Sequence, residues 1–364
     1  MDINRNERRI GQKKENNNHR SLTPPPPLVL KAGRYLTTLI LMGLTIHLIL
    51  PQLVSVESSL QVIKAMILWA VLLAALAQSV SYLGTGYLTH SVVAIVNQHL
   101  SVSRGVIIAL AASSIGMLAG GTLGNAAATY RWVRKYGISA EGSGLAGTLP
   151  TIFNNATLMA LAIAGILHLL LAHKLSSVQF SIFLLILTLL GLGLLAISWG
   201  KGHRTVFTRM IVRITSYFAR ILHVSYNPAP TETSIGRMFT ALEMLGKGGW
   251  KRPVMGAAIS TGFDMLTLYF FFIAAGYAIR PEILLVGYGL PLIFGKMAFL
   301  LPGGVGVVES TMAALYTGLG VPGSIAVVVI LGYRLFSFWI PTLIGFPIAF
   351  YLQGHETTHV FARF

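Results

Sequence analysis

One stretch limits what this chain can become: Leu301-Pro302-Gly303-Gly304-Val305-Gly306-Val307-Val308-Glu309, with Tyr333-Arg334 inside the next apolar run. It sets a helix-breaking proline, three glycines and a carboxylate within a long apolar part of the chain, where unpaired backbone and charge are costly. In lipid, non-helical backbone persists only where protein or a water-filled cavity surrounds it, so Pro302 to Gly306 should line something. Two readings stay open: a buried loop between packed helices, or the edge of a site, which intramembrane ionisable groups mark by default.

The lipid setting follows from composition. Of 364 residues, 54% are hydrophobic and 10% charged, whereas a soluble domain carries about a quarter charged residues. Several apolar runs reach the ~20 residues that cross a bilayer. The N-terminus is a polar tail rather than a short basic segment leading into an apolar one, so no cleavable signal peptide is expected. With no cysteine in the chain, disulfides, thiolate metal sites and cysteine nucleophiles are excluded. The net charge of +16 could suggest nucleic acid. Its distribution beside the apolar runs fits cytoplasmic flanks facing anionic lipid instead, and no nucleic-acid partner is expected.

Residues 1 to about 33, rich in Asn, Lys and Arg and ending in Pro24-Pro25-Pro26-Pro27, read as a disordered basic cytoplasmic tail. Apolar spans follow at about 35–54, 66–88, 149–172, 178–199, 254–279 and 324–352; two glycine-rich, less regular stretches cover about 105–128 and 283–320. If the six clean runs each cross once from an inside N-terminus, and the two irregular ones enter and return, 22 of the 27 Lys and Arg lie inside. A single crossing at 105–128 would move Arg131, Arg134, Lys135 and the nine basic residues of the 201–252 loop outside. The positive-inside rule therefore predicts two re-entrant hairpins.

The expected fold is all-α and polytopic: eight apolar segments, six of them full transmembrane helices and two re-entrant helical hairpins. The transmembrane domain is placed at 34–352 with half-repeats 35–172 and 178–352 running from opposite sides, and 353–364 as a tail. Gly120-Gly121 and Gly137, against Gly303-Gly304 and Gly320, recur with the same offset at corresponding places. Paired Gly/Pro-interrupted segments point to a transporter's binding site. Within the 201–252 insert, Phe207, Met210, Ile211, Ile214, Phe218, Ile221 and Leu222 share one helical face and Arg209, Arg213 and Arg220 the other. This 206–222 helix lies either on the anionic inner leaflet or on the protein's own surface. A second short helix is expected over Ser234 to Leu245.

Three motifs carry little. His355-Glu356-Thr357-Thr358-His359 matches HExxH but lacks a third ligand and a stable helix, so no metal site is expected. Gly142 to Gly147 fits GxGxxG without a preceding strand and reads as a loop. Asn155-Ala156-Thr157 matches a glycosylation acceptor but begins a span. Gly116, Gly120 and Gly124 read as a helix-packing stripe, and His47 and His168 as satisfied core histidines. What remains is a set of ionisable groups at membrane depth: Asp264, Lys296, Glu309 and Arg334. They must pair with each other, as Asp264 with Arg334, or meet a cavity or a substrate.

Pro302-Gly303-Gly304-Val305-Gly306-Val307-Val308-Glu309, then Gly320 and Tyr333-Arg334 with Pro341 and Gly345, resembles the signature of the lysylphosphatidylglycerol synthase transmembrane, flippase-like family. The resemblance covers most of 35–352 and implies a multi-pass inner-membrane protein that moves or presents a lipid. The best-known members add an aminoacyl transferase; no such domain follows here, so synthesis of lysyl-lipid is not expected. The family's first glycine-rich stretch usually carries an acidic residue and an arginine where this chain has Asn125 and Ala128, with Arg131, Arg134 and Lys135 following.

The expected function is that of a lipid flippase or transporter for an anionic or aminoacylated phospholipid, or a polyprenyl-phosphate lipid. The alternatives are a membrane enzyme or accessory partner in lipid or glycolipid biosynthesis, and a scaffold without substrate. No catalytic residue, cofactor or metal is expected; the partner would be a second copy or a lipid-synthesis enzyme. In this reading amides near Gly303, Gly304 and Gly306 hold a phosphate at a half-helix N-terminus, Arg334 clamps it and Lys296 adds a point charge. Glu309 meets an amine or carries a proton, Asp264 orients the arginine, and Arg131 belongs to the first half-site. Arg334→Gln is expected to abolish lipid movement with folding largely intact.

Overall fold

A computed structural model describes residues 61–118, 121–171, 177–221, 249–297 and 302–354, with a few isolated positions between 228 and 236. The expected span at 35–54, the tail, the helix over 234–245, His47 and the HExxH run lie outside these residues, apart from Ile235 and Gly236. Among the described residues every regular element is helical: α1 Leu68–Ala94, α2 Val102–Leu118, α3 Thr122–Lys135, α4 Ala140–Leu171, α5 Ser177–Gly202, α6 Arg204–Ile221, α7 Lys251–Ala274, α8 Pro281–Met297, α9 Val307–Gly318, α10 Gly323–Arg334 and α11 Ile340–Gly354. A 3₁₀ turn at Pro302–Gly304 precedes α9, and a π turn at Leu335–Trp339 joins α10 to α11.

Among the described residues, four stretches are long and apolar enough to cross a membrane: α1, α4, α7 and the run Gly323–Gln353. The paired helices differ. At 1.5 Å per residue, α3 reaches about 21 Å and α9 about 18 Å, short of a ~30 Å hydrocarbon core. Each packs against the helix before it, α3 on α2 and α9 on α8, so α2–α3 and α8–α9 are helical hairpins, and the protein is an all-α, multi-pass membrane protein.

The contacts repeat under exchange of halves. Mapping α1 onto α7, α2–α3 onto α8–α9 and α4 onto α10–α11 sends the packing of α4 on α8 into that of α11 on α2, and both are observed. Backbone geometry repeats as well: Gly121 and Gly304 have φ of 64° and 63°, and Gly137 and Gly320 have φ of 81° and 91°. Gly121 and Gly304 stand just before the second helix of each hairpin and Gly137 and Gly320 just after it, where only glycine adopts this conformation without strain.

The axis of the arrangement is the α1–α7 contact, the most extensive between any two helices among the described residues. Lipid tails are as apolar as leucine, so helices associate there through close packing and hydrogen bonds rather than hydrophobic burial. Accordingly Leu68, Leu72, Leu76 and Leu83 point outward, while Ala70, Ala74, Ala77, Ser81 and Gly84 are buried. A methyl group on Gly84 would stand 2.6 Å from the Ser260 amide nitrogen, and one on Gly256 2.8 Å from Leu88 Cα. Ser81 Oγ donates across the contact to Ser260 O at 2.8 Å, and Thr85 Oγ1 lies 2.8 Å from Ser260 Oγ.

Several boundaries shift from expectation. Gly142 to Gly147 is not a loop: it lies in the first two turns of α4, which starts nine residues before the expected span at 149 and carries Pro150 inside. Its small residues serve packing, since a methyl on Gly147 would stand 2.7 Å from Ala126 O, and helix keeps the backbone paired in lipid. α1 runs past 88 to Ala94, because Thr89 donates to Thr85 O and Ser91 is buried. His168 is no core histidine; its side chain is 66% exposed, with Nε2 4.0 Å from a Glu282 oxygen. The amphipathic helix forms over Arg204–Ile221.

Candidate functional site: a polar cavity between the two hairpins

Gly306, with φ of 87°, ends the irregular tip and caps α9. Its N–H donates to Glu309 Oε2 at 2.7 Å, so the carboxylate folds back onto the positive end of its own helix. The other oxygen, Oε1, accepts from Arg334 Nε at 2.5 Å. Both side chains are buried, 6% exposed for the arginine and 5% for the glutamate. Arg334 ends α10. From there Nη2 donates to Gly303 O at 3.3 Å, and the guanidinium lies 4.4 Å from the Phe338 ring centroid. One arginine thus ties the hairpin tip, the α9 N-terminus and the π turn together.

Asp264, on α7, stands apart from that pair. Its Oδ2 accepts from Tyr333 at 2.6 Å and from Tyr288 at 2.8 Å. Among the described residues no ion pair joins it to Arg334. The tyrosines, from α10 and α8, spread its charge over two hydroxyls. Lys296, near the end of α8, donates to Asn155 Oδ1 of α4 at 2.6 Å.

These groups surround a cavity of about 370 Å³ lined by α1, α2, α3, α4, α7, α8, α10 and the π turn. Asp264, Lys296 and Arg334 are on its wall. Glu309, Gly303, Gly304 and Gly306 are not: they stand behind Arg334, and Gly304 is packed so that a methyl there would come within 2.8 Å of Gly295 Cα. Arg131 joins neither group. It borders a second cavity of about 370 Å³ with Leu123, Ala128, Trp132 and Gln353.

Twelve of the 25 lining residues carry a hydroxyl, which makes the wall a hydrogen-bonding surface rather than an apolar slot. Several hydroxyls spend their proton on their own helix, as Thr89 on Thr85 O and Ser113 on Ala109 O at 2.8 Å, and so turn lone pairs to the cavity. Gln78 Oε1 and Asn154 Oδ1, also on the wall, are buried acceptors with no hydrogen-bond partner among the described residues. Sequence reasoning missed Gln78, Asn154, Tyr288 and the role of Asn155. The signal was Ser81, Thr85 and Thr89, spaced four apart in an apolar helix and facing Ser260, Thr261 and Asp264.

The profile described as the lysylphosphatidylglycerol synthase TM region matches residues 37–345. A UPF0104 membrane protein of Pyrococcus horikoshii is 41% identical over 85 residues, 23% of this chain and 25% of the relative. One of Methanocaldococcus jannaschii is 25% identical over 169 residues, 45% of this chain and 48% of the relative. One of Methanothermobacter thermautotrophicus is 35% identical over 82 residues, 22% of this chain and 24% of the relative. The matched stretches thus span a quarter to about half of these relatives' own lengths. With the family profile running from before α1 into α11, over both hairpins and the buried Glu309–Arg334 pair, the chain belongs to the lysylphosphatidylglycerol synthase transmembrane-region family.

Proposed function

We propose that the protein receives the phosphorylated head group of a membrane lipid in the cavity between its hairpins and carries it across the inner membrane while the acyl chains stay in the bilayer. The observation that carries this reading is the polar cavity of about 370 Å³, walled by both hairpins and both central helices and holding the Lys296 ammonium. A hydroxyl-rich chamber enclosed by apolar helices is costly to keep unless something polar passes through it. The family's name ties its other members to a phospholipid.

In this mechanism Lys296 attracts the phosphate, keeping one donor on Asn155 and offering the other two. Arg334 and Asp264 hold the wall in shape through Glu309 and the two tyrosines. Alternating access comes from sliding of one half against the other at the α1–α7 contact, where small residues leave few interlocking side chains. The N-terminus is on the cytoplasmic side and α6 lies on the anionic inner leaflet. Val206, Met210, Ile214 and Tyr217 support that placement: they form an exposed apolar stripe with Arg209 and Arg213 beside it. The test is leaflet exchange of a fluorescent phosphatidylglycerol in proteoliposomes, scored by dithionite quenching. Wild type accelerates exchange over empty liposomes and Lys296→Gln slows it about tenfold, the loss of one charge-assisted contact to the phosphate; exchange equal to empty liposomes rules the reading out.

A further inference from the structure

We infer that Asp264 and Gln78 form a sodium site on the cavity wall, and that the cation enters together with the anionic lipid. The site stands on geometry; its coupling to the lipid rests on the transport reading above. The first observation is a charge without a counter-charge. Asp264 lines the cavity, and among the described residues no ion pair includes it. Lys296 is turned to Asn155 and Arg334 to Glu309. Both tyrosine hydroxyls fall on Oδ2, so Oδ1 takes neither. Two neutral donors share a carboxylate's charge without cancelling it, and that charge is costly at membrane depth.

The second observation is an orphaned acceptor beside that carboxyl. Thr267 Oγ1 donates to Ala74 O at 3.4 Å and Ser81 Oγ to Ser260 O at 2.8 Å, so α1 and α7 run antiparallel. This register sets Gln78 opposite Asp264, and its side chain reaches the carboxyl. Gln78 is 6% exposed and lines the cavity, and its Oε1 has no hydrogen-bond partner among the described residues. A half turn of the amide presents either its N–H or that oxygen, so one side chain serves the carboxylate alone or the carboxylate with a cation. Water would satisfy Gln78 Oε1 without adding the counter-charge.

The third observation is the set of oxygens around them. Ser260 and Thr261 stand four and three residues before Asp264, on its face of α7, and line the same wall. Ser81 spends its proton on Ser260 O and keeps its lone pairs. One carboxylate among neutral oxygens suits a hard ion of single charge. A divalent ion draws on more carboxylates, and its second charge would face Lys296 and Arg334 on the same wall. No histidine or cysteine lines the cavity to favour a softer metal. Charge balance then links ion and lipid. A phosphate at Lys296 cancels the ammonium and leaves Asp264 in excess; sodium at Asp264 cancels that excess. Each ligand favours the other, and the coupling is reciprocal.

Two measurements test this. Purified full-length protein, without added lipid, is titrated with radiolabelled sodium and read by scintillation proximity. Saturable binding is expected, displaced by unlabelled sodium chloride and not by N-methyl-D-glucamine chloride. With melting controls, Asp264→Asn should abolish it and Gln78→Leu weaken it about tenfold or more. Absence of saturable binding overturns the site, as does binding that both folded variants leave unchanged. Binding of dihexanoyl-phosphatidylethanolamine that Asp264→Asn removes would then assign the carboxylate to a lipid ammonium. In proteoliposomes, replacing sodium by N-methyl-D-glucamine at constant ionic strength should slow phosphatidylglycerol exchange about fivefold or more; unaffected exchange overturns the coupling. Sodium binding without any exchange overturns the transport reading and leaves the site, and exchange without sodium binding does the reverse. Both wild-type results need no variant, so a misfolded mutant does not rescue the proposal.

Discussion

Arg334 Nε lies 2.5 Å from Glu309 Oε1, twenty-five residues earlier in the chain, with both side chains almost fully buried. That pair joins the end of α10 to the start of α9, and its neighbours fix the tip glycines: Gly303 O accepts from the same guanidinium, and Gly306 N–H serves the same carboxylate. The irregular backbone at 302–306 is tolerated in an apolar setting because protein groups satisfy it.

The pair makes a prediction that differs from the sequence expectation for Arg334→Gln. Removing one partner leaves an uncompensated buried charge, so Arg334→Gln or Glu309→Gln should each destabilise by about 3–5 kcal/mol. Replacing both, as Glu309→Leu with Arg334→Met, should recover most of that loss. Thermal unfolding in detergent checks the stability; a double variant no more stable than the singles contradicts a closed pair. Lipid exchange by the refolded double variant then reads out what Arg334 contributes at the cavity wall.

The α1–α7 contact predicts a sharp contrast among glycines. Gly84→Ala would set a methyl 2.6 Å from Ser260 N, and Gly256→Ala 2.8 Å from Leu88 Cα. Each should cost about 1–3 kcal/mol as overpacking. Gly144→Ala meets nothing within 4 Å and lies in a helix, so it should be neutral or stabilising by up to about 1 kcal/mol. Melting temperatures of the three variants, measured together, decide the order.

Asp264 supplies the third prediction. Tyr288→Phe and Tyr333→Phe each remove one donor from its Oδ2 and should each cost about 1–3 kcal/mol. Because both act on one oxygen, the double variant should depart from additivity. A double-mutant cycle by unfolding checks this: strict additivity means that the two hydroxyls do not share the carboxylate.

Much of this architecture was legible in the chain. The placement of Lys and Arg predicted two hairpins, the recurrence of Gly120-Gly121 and Gly137 in Gly303-Gly304 and Gly320 pointed to their being repeats, and the left-handed φ at Gly121, Gly137, Gly304 and Gly320 is the physical reason that glycine recurs there. The cost of charge in lipid identified Asp264, Lys296, Glu309 and Arg334 without a structure. Their pairing was not legible, because four ionisable groups at one depth can pair in several ways and only the packing of α8, α9 and α10 selects one. Nor was the helix over Gly142–Gly147, since glycine's poor local propensity is overridden where a close-packed backbone must stay hydrogen-bonded. Arg131 looked like part of the site from its place in the repeat, yet the structure puts it on a different cavity.

The most direct test of lipid passage through the cavity exploits the absence of cysteine from the chain. Thr151→Cys places a single thiol on the cavity wall, where a bulky methanethiosulfonate can be attached and later removed with a reductant. In proteoliposomes the account predicts that leaflet exchange of phosphatidylglycerol stops when Cys-bearing protein is fully modified and returns after reduction. Exchange that continues unchanged through stoichiometric modification would contradict it.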